Sequence, residues 1–196
     1  MMPEVFPYRL VEVLALLPIL HVPPGKAVDI GVVGPYSDIM AQEVHRWPEV
    51  QRIHLLAKPQ HAMTRKYVLS ATMPRVDVLL LSPEQDPTPW LRCVKPGGLI
   101  QASTTDPGQF QALVAGLSSN AGNAVPWREH LPRPLFGVLS NIGTTKPQRY
   151  RQPPKAVQRL TTQYLPCLFT FGKDEIHLAF RQPTSTIAPV TERAHD

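Results

Sequence analysis

Cysteine is scarce in this chain, with only Cys93 and Cys167 among 196 residues. Neither stands at metal-ligand spacing, and two are too few for a disulfide framework. Zinc modules and stapled secreted scaffolds are therefore excluded, and both thiols are expected reduced and partly buried. Long apolar runs are missing too. The best stretch, LVEVLALLPIL at 10–20, falls short of the roughly 18–20 residues a membrane span needs, carries Glu12 and is broken by Pro18. Glu4 and the lack of a basic start argue against a secretory leader, so a soluble, cytoplasmic protein is expected, with no membrane partner. The seven histidines form no HxxxH or HExxH pair and no G-x-S-x-G elbow occurs, so neither a metal site nor a hydrolase triad is predicted.

What the chain does have is an ordinary apolar content, 43%, enough to bury the core of one domain of this length. That domain is expected over 1–181, followed by a polar, Pro/Thr-rich, flexible tail at 182–196. Proline is abundant, 23 residues, well above the usual ~5%. The prolines cluster at element boundaries and in the last third, where they read as rigid connectors of a folded chain. A net charge of +5 permits an acidic partner without identifying one.

The pattern of elements is α/β. Leu10, Val13, Leu14 and Leu17 share one helical face, predicting an opening helix over 8–17. AVDIGVV (27–33), QRIHLLA (51–57) and VDVLLLS (76–82) read as buried strands, and GPYSD starts a helix to about His45 with Ser37 or Asp38 as its cap. PTPWLRCV predicts a short helix, KPGG a turn, LIQAST a strand, and DPGQFQALVAGL (106–117) a helix with a capping Asp106 and proline at its first position. LFGVLSNI (135–142) and IHLAF (176–180) are β-like. Alternating strands and helices at this spacing indicate a mostly parallel, Rossmann-like sheet with helices on both faces.

Five segments, in order, resemble the core of spermidine synthases (polyamine aminopropyltransferases), which have the class I S-adenosylmethionine-dependent methyltransferase fold. They are FPYRLVEVLALLPILHVPPGKAVDIG, VDVLLLSPEQDP, WLRCVKPGGLIQAS, LPRPLFGVLSN and RLTTQYLPCLFTF, together spanning about residues 6–180. The resemblance implies that fold, with an antiparallel pair closing the sheet. It also marks two departures in length. The family's N-terminal β-domain has no counterpart before Phe6, and only about twenty residues separate Ala57 from Val76, where the family fits a further strand and helix; a trimmed core is expected.

The resemblance implies a cofactor site at the turn GVVGPYS, and here the sequence departs again. Gly31 and Gly34 remain where backbone must approach a ligand closely, with Tyr36 and Ser37 beside them. Val32, Val33 and Pro35 stand where the family is rich in glycine. The acid that would bind ribose hydroxyls is replaced by Ala57, next to Lys58, and neither side chain can accept a hydrogen bond. In the loop that would carry the catalytic carboxylates, Ser82 stands in the first acidic position and Asp86 near the second, with Glu84 between them; solvated loop acids are the plainer reading of Glu84 and Asp86. Tyr8 and Tyr164 resemble tyrosines lining the family's amine pocket, or serve as packing residues with the phenol at a water boundary.

The segment KPQRYRQPPKAVQR (146–159) places Lys146, Arg149, Arg151, Lys155 and Arg159 around Tyr150 without an acid. It reads as a solvated loop over the sheet edge, or as a nucleic-acid contact in which the bases stack on Tyr150. Three functions follow. The first expectation is a pseudoenzyme: a spermidine synthase/methyltransferase-like protein with degenerate motifs, no cofactor, and a binding or scaffold role with a protein partner or another copy of itself. The second is a divergent transferase moving an aminopropyl or methyl group to a small amine, with S-adenosylmethionine or its decarboxylated form as cofactor. The third is a nucleic-acid-binding module using 146–159.

Overall fold

A computed structural model describes residues 25–117 in full, Ala15, Pro18, Ile19, His21 and Val22 before them, and the backbone of 118–120 and of the strands 122–129, 135–142, 164–171 and 174–181. Strand β1 (Val28–Val33) leads through a tight turn to helix α1 (Ser37–Val44), then to β2 (Val50–Leu55), the short β3 (Tyr67–Leu69) and β4 (Val76–Leu81). A 3-10 helix (Thr88–Cys93) precedes β5 (Val94–Thr104), helix α2 (Pro107–Asn120) and four further strands, β6 (Gly122–Glu129), β7 (Leu135–Ile142), β8 (Tyr164–Phe171) and β9 (Asp174–Arg181). All nine strands form one sheet in the order β3-β2-β1-β4-β5-β7-β6-β8-β9. The first five run parallel, whereas β7 is antiparallel to β5, β6 to β7, β8 to β6 and β9 to β8.

Parallel strands are covered on both faces, which is why VDVLLL of β4 is almost uninterrupted apolar sequence and is buried nearly throughout. From β1 the chain crosses toward β3, and from β5 it crosses toward β6. Right-handed crossovers in opposite directions put α1 and α2 on opposite faces of the sheet. On the α2 side Val33, Leu79, Leu81, Ile100 and Ala102 pack with Met73, Leu117 and the partly buried Trp90, Phe110 and Leu113. The alternate residues Ile30, Val32, Val78 and Leu80 are buried on the other face. Of the opening helix expected over 8–17, Ala15 is described; it and the following Pro18 and Ile19 are helical and buried.

Several expectations are corrected. KPGG is not a turn between a helix and a strand but a bulge inside β5: Val76 pairs with Val94 and Val78 with Leu99, so two steps along β4 match five along β5, and Gly97 takes φ +80° in the extra loop. Gly98 approaches the Asp77 carbonyl so closely that a Cβ there would sit 2.6 Å from it. Neither Ser37 nor Asp38 caps α1, which starts after Tyr36 without a side-chain cap. The Ser37 hydroxyl donates to Gly34 O, and Asp38 Oδ2 accepts the Gln60 amide at 2.8 Å. The span between β2 and β4 keeps a strand, β3, without a helix. By contrast Asp106 does cap α2, accepting the Gly108 amide at 2.8 Å, and Cys93 is a buried free thiol. The expected tail, 182–196, lies outside the described residues.

Near the amino ends of the strands, two adjacent acids are flanked by two cations. Arg52, Asp29, Asp77 and Lys95 are linked by ion pairs of 3.5 Å (Arg52–Asp29) and 3.4 Å (Lys95–Asp77) and by the Asp29 amide donating to Asp77 Oδ2 at 2.9 Å. This belt is partly exposed and belongs to the sheet's structure; its pairs contribute roughly 0–1 kcal/mol each.

Candidate functional site

In an open α/β sheet the crossovers diverge at the point where strand order reverses, and the crevice at the carboxyl ends of the strands there is the usual ligand site. In this sheet that point lies between β1 and β4. Gly34, the first residue after β1, has φ +103°, a conformation that needs glycine. A Cβ on Gly34 would fall 2.5 Å from Ser82 Cβ and 2.6 Å from its Oγ. The two loops therefore touch. Ser82, at 0% exposure, prolongs the ladder by donating its amide to Val33 O at 2.8 Å, and its Oγ accepts the Tyr36 amide at 3.0 Å. Tyr36 is itself buried, and burial raises its phenol pKa.

Gly31, deeper in β1, is needed for a different reason: Met73 Sδ lies 2.6 Å from where its Cβ would be, so the methionine fills the room a side chain would occupy. Beside it His54 is buried with Nδ1 lacking a hydrogen-bond partner among the described residues. Burial pulls its imidazole pKa below the ordinary value, with Asp29 opposing and Arg52 and Lys95 reinforcing.

On the other side of β4 the molecule is hollow. A cavity of about 350 Å³ opens between the loop after β4, the carboxyl end of β5 and α2, lined by Glu84, Asp86, Thr104 and Gln109 with Leu91 and Leu113 behind them. Glu84 sits at φ +69° with its amide on Ser103 O, and its carboxylate accepts from Thr104 Oγ1 (2.8 Å), the Thr105 amide (2.7 Å) and Thr105 Oγ1 (3.0 Å). It is exposed, as expected of a loop acid, and at the same time a fixed acceptor pinned to the end of β5. Asp86 is exposed and accepts the Thr88 amide at 3.0 Å, a local turn contact.

The residues picked out in the sequence thus separate into groups. Gly34, Tyr36, Ser37 and Ser82 come together at the β1–β4 junction, Glu84 and Asp86 share the neighbouring cavity, and Gly31 lies inside β1. Ala57 is exposed beyond the end of β2. Tyr164 opens β8 opposite Arg181. Tyr8 and the basic segment 146–159 lie outside the described residues. Sequence reasoning passed over Gln101, Ser103 and Thr104, which are buried at 0–1% exposure where β5 ends. Ser103, which lines the cavity, has an Oγ with no hydrogen-bond partner among the described residues. The readable signal was a run of polar residues inside a strand otherwise built for the core.

Chemically, the described partners of Ser82 are backbone groups, Val33 O and the amides of Tyr36 and Gln85. None can take its proton, and a serine without an activating base is a poor nucleophile. Among the described residues, Glu84 and Asp86 are the carboxylates at the cavity, and no basic side chain lines it. Among the described residues no cluster of histidine, cysteine or carboxylate could hold a metal ion, and no helix is long and apolar enough to cross a membrane.

No family model matches the chain, and no curated protein matches its sequence. Solved structures do. The chain is similar to the spermidine synthase of Thermotoga maritima, with a TM-score of 0.57 at 14% identity, over 96% of this chain and 74% of that one. It is also similar to a spermidine synthase crystallised with the transition-state analogue AdoDATO, with a TM-score of 0.55 at 15% identity, over 78% of this chain and 66% of that one. The chain thus spans about two thirds to three quarters of these structures. Likeness at this identity concerns architecture: the chain has the Rossmann-like fold that spermidine synthases share with class I methyltransferases, as its sequence pattern implied.

Proposed function

We propose that this protein is a non-catalytic relative of the spermidine synthase and methyltransferase folds, which works by binding, as a scaffold or subunit, and does not transfer a group from S-adenosylmethionine or its decarboxylated form. The observation that carries this reading is the contact between Ser82 and the β1–α1 turn. A nucleotide-type cofactor needs backbone amides free at the start of α1 and open space over the glycine turn. Here the Tyr36 amide is bound to Ser82 Oγ, the Ser37 amide to Gly34 O at 3.1 Å, and Gly34 is pressed against Ser82. The position that would receive ribose hydroxyls is Ala57, and the first position of the catalytic loop is a serine bound only to backbone. The residues present do not fit the cofactor.

The test is calorimetric titration of the full chain with S-adenosylmethionine and with its decarboxylated form. The expected result is no measurable heat of binding. Micromolar affinity for either would overturn the proposal.

A second reading is favoured by the cavity. Its two carboxylates, with Leu91 and Leu113 behind them, would suit a small amine with an apolar body, the acceptor of a divergent aminopropyl- or methyltransferase. Under that reading Asp86, which accepts one local amide where Glu84 accepts from three groups, is the carboxylate that holds the amine, and Asp86→Asn abolishes transfer in a protein of unchanged stability.

A further inference from the structure

The three large apolar side chains that stand out as exposed among the described residues, Leu56 (39%), Met63 (45%) and Leu69 (48%), all come from one stretch of chain, the end of β2 through β3. That stretch forms the edge of the sheet, with β3 its outermost strand. In a parallel ladder alternate residues turn their N–H and C=O toward or away from the neighbouring strand. Lys66 O and the Ser70 amide bind β2, accepting from Ile53 at 2.8 Å and donating to Leu55 at 3.0 Å. Val68 shares that side, and the backbone groups of Tyr67 and Leu69 point outward. The Tyr67 amide is taken by Thr64 O at 3.2 Å, so among the described residues Tyr67 C=O and both backbone groups of Leu69 remain to pair with an added strand.

The edge is held firmly. Lys66 Nζ donates to His45 O (2.8 Å) and Trp47 O (2.9 Å) just past the end of α1, and the Tyr67 hydroxyl meets His61 Nε2 at 2.6 Å. Burial, helped by Asp38, pushes the Tyr67 phenol up to about 12, so it stays a neutral partner for the histidine. These bonds keep the loop before β3 packed beside the strand, and the surface is pre-formed.

Its charge is mostly of one sign. No acid occurs between Glu49 and Asp77, and Lys58 and Arg65, which follow β2 and precede β3, are exposed, while the nearby acids Asp38 and Glu49 act on Tyr67 and Lys66. A short edge strand flanked by cations is a common guard against self-pairing, because a second copy brings the same charges. Such a guard does not account for leaving Leu56, Met63 and Leu69 in water on that edge. Cations that repel another copy attract an acidic chain, and aliphatic side chains suit a peptide better than nucleic-acid bases, which stack on aromatics.

We infer that the β3 edge, with Leu56, Met63 and Leu69, is a docking site for an extended acidic segment of a partner protein, which adds a strand beside β3 and sets aliphatic side chains against these three. The inference goes beyond the scaffold reading and is independent of the state of the β1–β4 junction, which lies two strands away.

The test uses the full chain and a fluorescent, end-capped peptide of alternating glutamate and valine, with anisotropy as the readout and thermal melting as the check on folding. Saturable binding is expected, weakened about tenfold or more by raising salt from low to molar concentration. Leu69→Pro is expected to weaken it at least as much while leaving the melt in place, because the Leu69 amide points away from β2 and proline is tolerated there. Leu69→Ser and the pair Lys58→Glu with Arg65→Glu repeat the measurement should proline disturb the strand. In the bound protein, hydrogen exchange of the Leu69 amide is expected to slow. Four results would overturn the inference: no binding at millimolar peptide, binding undiminished in every folded variant, a dimer of the chain that Leu69→Ser dissociates, or an oligouridylate that displaces the peptide.

Discussion

The two sides of β4 end differently, although both are loops at the carboxyl edge of one parallel sheet. Toward β1 the chain closes on itself: Gly34 has no room for a Cβ, and Ser82 bonds the turn that a ligand would have to enter. Toward β5 it stays open, with a cavity of about 350 Å³ beneath a carboxylate tied down by Thr104 and Thr105. The contrast shows how little is needed to reassign a fold's usual crevice. One small polar side chain that reaches across two adjacent strand ends satisfies an amide and removes the space, while the apolar sheet below is untouched.

The strongest way to break both sides at once is to charge the strand they share. Leu80 is fully buried in β4, and Leu80→Asp leaves a carboxylate there without a partner. A loss of at least about 4–5 kcal/mol is expected, which leaves no cooperative melt in circular dichroism. Gly34→Ala tests the closed side alone. The positive φ costs about 1–2 kcal/mol and the overlap with Ser82 about 1–3 more, so a loss of roughly 2–5 kcal/mol is expected in urea titration. In a Ser82→Gly background the same substitution is expected to cost distinctly less, because the atoms it meets are gone; equal costs in both backgrounds would show that the contact does not close the junction. Glu84→Ala tests the open side, removing the acceptor for Thr104 and Thr105, and about 1–2 kcal/mol is expected to be lost by the same measurement. The smallest effect is expected for Asp86→Asn, which keeps an oxygen for the Thr88 amide in an exposed loop; stability should stay within about 0.5 kcal/mol and cellular function unchanged. Loss of function from a folded Asp86→Asn protein would favour the transferase reading over the scaffold.

Much of the parallel half was legible in the sequence. β1, β4 and α2 follow from apolar runs, a capping aspartate and proline at a helix start, signals that act within a few residues. β3 was missed because three residues carry no period, and they become a strand only where β2 offers its open side. The bulge in β5 was read as a turn because Lys-Pro-Gly-Gly has turn composition, and whether the ladder resumes on the same partner depends on β4. At the site, that Ala57 and Ser82 stand where the resemblance would put acids could be read directly, since the identity of a side chain needs no coordinates. That Glu84 is clamped and Asp86 merely exposed could not be read, because the two differ only in their distance from Thr104 and Thr105.

The sequence by itself determined the fold class and the absence of an acid at positions 57 and 82, because burial pattern and side-chain chemistry are properties of the residues as they stand. Tertiary structure alone decided that Ser82 meets Gly34 and Tyr36, that the hollow lies beside β5, and that Leu56, Met63 and Leu69 share an exposed edge. The first two are distances between segments far apart in the chain, and the third depends on β3 being the outermost strand. Such distances are fixed by how the sheet twists and how its strands register, which no local pattern records.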